Sequence, residues 1–175
     1  KRWTNPVSQL SAYFAMICLR MDGKEKRDFS AKHLDRVLGF FARVEAKASF
    51  LFAINTTLLA LIALNLRKSD VALWYVMVPG VAAVLLLVVS LWFIYQCHFP
   101  KLEGGSGSLV YFAEIAKRTE PGFVTDCEAV SEDALIKDYL GQTWRNAQIL
   151  AAKFAHVKTA FTLTGLALVP WFHLK

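Results

Sequence analysis

Four cations in this 175-residue sequence stand where they can hold an anion. Arg43 and Lys47 are one helical turn apart. Arg145 and Lys153 lie on a second stretch of helical spacing, where Asn146 and Lys153 share a face. The first pair closes a longer stripe, Lys32, Arg36, Phe40, Arg43 and Lys47. Like charges repeated at i, i+4 repel and weaken an isolated helix. Such a stripe calls for anions: lipid headgroups, acidic side chains or a bound phosphate. Trp144, with Tyr111 and Phe112, offers rings on which a flat ligand can stack. Two arrangements fit these residue types. They line a pocket, or Glu45, Lys47, Asn146 and Lys153 pair with one another as a structural polar network.

Other chemistries find no support. There is no Gly-x-Ser-x-Gly, paired His and carboxylate, phosphate loop or metal-ligand spacing, so neither an enzyme nor a metal or cofactor site is expected. Cys18, Cys97 and Cys127 are far apart and read as small buried hydrophobes. The net charge is +6, with ten Lys/Arg against five Asp/Glu in residues 1–47 and seven against eight in residues 99–158. The basic excess adjoins an apolar stretch, which fits anionic lipid better than nucleic acid.

The elements that position these residues are apolar. With 55% hydrophobic residues and mean hydropathy +0.38, the chain exceeds what a soluble core needs. Residues 49–66 and 71–97 carry no charge, and each is long enough to cross a bilayer as a helix. They predict a transmembrane hairpin with its outer turn at Arg67–Asp70. The positive-inside rule places the N-terminus in the cytoplasm. Asn55 must face other helices, for packing or to line a pathway. Pro79-Gly80 should kink the second span. Residues 155–174 are a third, marginal span, which puts the C-terminus outside. Ala151, Ala155 and Thr159 give it a small-residue packing face.

Below the membrane, Ser30 is the expected N-cap of a helix that runs to Leu66, so Ala31–Lys47 forms a cytoplasmic stalk. Ser131 starts a second stalk reaching Phe154. Lys101–Ser108, with its GGSGS, reads as a flexible linker, and a short helix after it stops at Pro121-Gly122. Residues 1–29 form an amphipathic helix and charged linker; a signal peptide is the less favoured reading. Residues 30–175 form one module: stalk and span 30–66, second span 72–97, cytoplasmic loop and helices 98–154, and third span 155–174. The fold class is an all-α membrane protein with three transmembrane helices.

Three stretches together carry a resemblance. ARVEAKASFLF, SGSLVYFAEIAKRTEPGF and QTWRNAQILAAKFAHVKTAF resemble the transmembrane Pycsar effector family, over about Ala31 to Phe172. Glu45-Ala46-Lys47-Ala48 matches an acidic-x-Lys-Ala element, with Glu where the family often has Asp. Asn146 and Lys153-Phe154 match its last helix. The resemblance implies a bacterial inner-membrane anti-phage effector of abortive infection. A partner cyclase makes cyclic CMP or cyclic UMP, and the effector senses it and damages the membrane.

Such a ligand has one phosphate anion, a ribose hydroxyl and a flat base. A site between the stalks is expected, with Arg43, Lys47, Arg145 or Lys153 on phosphate, Glu45 and Asn146 on polar edges, and Trp144 stacking. Three spans enclose no wide pore, so a homo-oligomer is expected. The competing reading is a ligand-independent scaffold that anchors partners through its helices.

Overall fold

A computed structural model of the protein describes residues 21–65, 73–99 and 105–172. The N-terminal amphipathic segment and the Arg67–Asp70 turn lie outside the described residues. Among those residues all regular secondary structure is helical: α1 Gly23–Asn65, α2 Trp74–His98, α3 Phe112–Ile115, α4 Glu120–Ala129 and α5 Glu132–Phe172.

α1 is 43 residues long, about 65 Å at 1.5 Å per residue. It begins seven residues before the expected cap. Asp22 Oδ1 accepts from the Glu25 N–H at 2.7 Å and Glu25 Oε2 accepts from the Asp22 N–H at 3.3 Å. This reciprocal capping box satisfies two donors that a lone serine cannot. Ser30 is instead interior, and its hydroxyl donates to the Lys26 carbonyl. α5 does start at Ser131, whose Oγ accepts from the Ala134 N–H. It runs through Gly141 and reaches Phe172 without a break. α2 is helical through Pro79, with Gly80 buried. Pro121-Gly122 does not stop a helix but opens α4. Thr119 caps it by accepting from the Gly122 N–H, and proline is tolerated in a first turn, where its missing N–H has no intrahelical partner anyway.

The described residues divide into two compact units. The first takes α1 up to Val37 and the chain from residue 105 to Arg145, including α3 and α4. The second takes α1 from Leu38, all of α2, and α5 from Asn146.

The second unit is a three-helix packing with two apolar clusters. Val44, Ala48, Leu51, Ile94, Cys97, Val157 and Ala160 form one; Ile62, Ala83, Leu87 and Ala167 form the other. Between them along each helix sits one buried polar residue: Asn55 on α1, Ser90 on α2 and Thr164 on α5. Asn55 Nδ2 donates to Ser90 Oγ at 2.9 Å, and Thr164 Oγ1 donates to Asn55 Oδ1 at 2.9 Å. The Ser90 and Thr164 hydroxyls stand 3.0 Å apart, and either can be the donor. The three side chains close a ring of hydrogen bonds. The Ala160 carbonyl lies within reach of both hydroxyls.

α1 and α2 are long and apolar enough to cross a membrane. Large apolar side chains cover the outside of this unit, among them Phe50, Leu64, Val78, Leu85, Trp92, Phe161 and Val169. A water-facing protein rarely carries so much contiguous apolar surface. Cys97 lies in the core as expected, but Cys127 is exposed on α4.

Ser90→Ala removes a hydroxyl that bonds to both other ring members, and opens two bonds. It should lower unfolding stability in detergent by about 1–2 kcal/mol, read from thermal melts, whereas the exposed Ser49→Ala should leave them unchanged.

Candidate functional site

The residues singled out by sequence fall into separate settings. In the second unit, Lys153 is 2% exposed, and its Nζ lies 2.8 Å from Glu45 Oε1 and 5.5 Å from the centre of the Phe41 ring. The ammonium is thus neutralised and covered. Lys47 is exposed and sits over Phe154 at 5.7 Å, and Arg43 is exposed over Phe40 at 5.0 Å. Asn146 is partly buried. Asn55 has its helix partners in the buried ring. Ala151 and Ala155 are exposed, and Thr159 is partly so and donates to the Ala155 carbonyl. That small-residue face is not packed against this chain's own core.

Trp144 and Arg145 belong to the first unit. Trp144 is 63% exposed, free to stack. Arg145 lines a cavity of about 270 Å³ with Gly105, Ser108, Leu109, Leu135 and Asp138. Its Nη1 is buried and has no hydrogen-bond partner.

This cavity is built on the segment that reads as a linker. Gly105 and Gly107 both have positive φ, +88° and +76°, the left-handed region that glycine enters without a Cβ penalty. Gly105 is also the tighter of the two. A Cβ there would stand 2.9 Å from Arg145 Nη1 and 2.7 Å from the Tyr111 ring. Ser108 is buried and acts as a hub. Its hydroxyl donates to Asp138 Oδ2 at 2.9 Å and accepts from the Val110 and Tyr111 N–H groups and from Gln142 Nε2. Asp138 Oδ2 also accepts from the Leu109 N–H at 2.8 Å. Arg118 Nη2 holds the Gly107 carbonyl at 2.8 Å, and Glu114 Oε2 takes the Gly107 N–H at 3.1 Å. Gly105–Leu109 is therefore a fixed turn. The linker reading fails here because composition alone does not see the side chains that hold a Gly/Ser turn.

Asp138, Gln142 and Ser108 are residues that sequence reasoning passed over. A signal existed. Asp138, Gln142 and Arg145 recur at steps of four and three, one polar face of α5 directed at a Gly/Ser segment.

The Glu114 carboxyl is held below its ordinary range, first by the hydrogen bond from Lys117 and then by the Gly107 N–H. A depressed carboxyl stabilises the turn at all pH above its unfolded value and ceases to do so as pH falls through the lowered folded value. The Gly107 amide resonance should therefore shift in acid, below the usual carboxylate range. Glu114→Gln, which still accepts but does not titrate, should remove that step.

The ion pair of the second unit is asymmetric. Glu45→Ala leaves a buried ammonium unpaired and should cost about 3 kcal/mol in detergent melts. Lys153→Met leaves only a half-exposed carboxylate and should cost less than about 1 kcal/mol. Equal losses would show that Lys153 does not depend on Glu45.

Comparison with known proteins adds one finding. A family model described as the Pycsar effector protein domain matches residues 29–174. No curated protein and no solved structure matches the chain.

Proposed function

The chain belongs to the Pycsar effector family, anti-phage defence effectors with a transmembrane part, and we propose that it senses cyclic CMP or cyclic UMP and then disrupts the bacterial inner membrane. A pyrimidine nucleotide cyclase supplies the signal, and loss of the membrane barrier stops the infected cell before phage are released.

The observation that carries this reading is the composition of α1 and α5. α1 gives its first residues, to Val37, to a unit with a polar cavity and the rest to a unit clad in apolar side chains. α5 does the same on either side of Arg145. A ligand acts by favouring one arrangement over another, and two unbroken helices are the elements through which such a preference can pass.

Residues 155–174 make a third span in this reading. Its support is the charge-free run after Lys158, Thr164 in the buried ring, and exposed Phe161, Leu166 and Val169. The basic excess of residues 1–47 puts the N-terminus in the cytoplasm, and three spans put the C-terminus in the periplasm. Ala31–Lys47 and Ser131–Phe154 are then the cytoplasmic stalks. The exposed Ala151 and Ala155 suit close helix contact with a second copy, as a homo-oligomer requires. The protein works without catalysis or cofactor.

Liposomes containing the purified protein and an entrapped dye test the proposal. Cyclic CMP or cyclic UMP should release the dye and cyclic AMP should not. Absence of triggered release, with insertion confirmed, would sink it and favour a ligand-independent scaffold.

A further inference from the structure

A guanidinium has five N–H donors and stays charged at any accessible pH. Burying one of those donors without a partner is costly, and more so when the group is charged. Arg145 Nη1 is in that position, beside a cavity. Of the four cations that the sequence offers for a phosphate, Lys153 is ion-paired with Glu45, while Lys47 and Arg43 are exposed and lie over aromatic rings. Arg145 is the one among them with a buried nitrogen and no partner.

The rest of the cavity narrows the chemistry. Asp138 is its acidic residue. The Ser108 hydroxyl and Leu109 N–H both bond to Oδ2, so Oδ1 remains an acceptor for an incoming donor. Leu109, Val130, Ala134 and Leu135 supply an apolar wall. One cation beside one carboxylate suits an anion with a single charge and disfavours a di- or triphosphate. A volume of about 270 Å³ lies just under the range of sites for drug-sized molecules, which admits one nucleotide rather than two. Gly105 completes the fit, since any side chain there would crowd the guanidinium.

We propose that the Gly105–Leu109 turn, Asp138 and Arg145 form the site for one cyclic pyrimidine mononucleotide. Arg145 donates to the phosphodiester, Asp138 accepts from a ligand hydroxyl or amino group, and the apolar wall takes the base. This placement rests on the sensing reading above and adds where the ligand sits. It moves the phosphate from the Arg43, Lys47 and Lys153 group to the first unit.

Calorimetric titration of the full chain in lipid nanodiscs tests it, with cyclic CMP, cyclic UMP and inorganic phosphate as probes. Arg145→Lys keeps the charge and loses the fork. Ser106→Trp, at an exposed turn position lining the cavity, fills it without replacing a charged residue. Both should weaken nucleotide binding at least tenfold with helicity unchanged by circular dichroism, and Arg43→Ala should bind as wild type. Undiminished binding in both cavity variants overturns the site and leaves sensing intact. If wild type binds neither nucleotide, the sensing reading falls. Phosphate binding that depends on Arg145 would then keep the cavity as an anion site, and its absence would overturn that as well.

Discussion

A polar side chain among apolar helices must find its partner in the protein, because neither lipid nor a packed core supplies one. In the second unit Asn55, Ser90 and Thr164 meet that requirement by bonding to one another, one from each long helix. Apolar clusters alone leave helices able to slide, since leucine packs on leucine at many offsets. The ring sets one offset, and the clusters on either side pack around it. The same constraint governs Lys153, which tolerates its burial because Glu45 stands 2.8 Å away.

The first unit solves a different problem with similar means. Its short helices offer little apolar surface, and neither α3 nor α4 contains a buried residue. Order comes instead from side chains that grip a turn: Asp138 and Gln142 from α5, Arg118 and Glu114 from the segment around α3. Those grips leave two buried guanidinium nitrogens, Arg118 Nη1 and Arg145 Nη1, without a partner. A unit held by polar contacts of this kind is sensitive to charge.

Much of this was legible from residue order. The apolar runs, the start of α5 at Ser131, its passage through Gly141, and the partner demanded by Asn55 all follow from local rules. The misses share a cause. Ser30 looked like a cap because Asp22 and Glu25 act only as a reciprocal pair. Pro121-Gly122 looked like a stop because the Thr119 cap reverses the meaning of the proline. GGSGS looked slack because the four side chains that fix its second half come from residues 7 to 34 positions further along the chain. Ser90 was a lone polar residue in an apolar run and Thr164 one of several threonines in another, and nothing in the order of residues said that they would meet Asn55.

The ring of Asn55, Ser90 and Thr164 also limits how the helices can move. Each member bonds to both of the others, so shifting any single helix breaks two of the three bonds together. Partial displacements therefore gain nothing over full ones. Helices fastened in this way hold one register or abandon it.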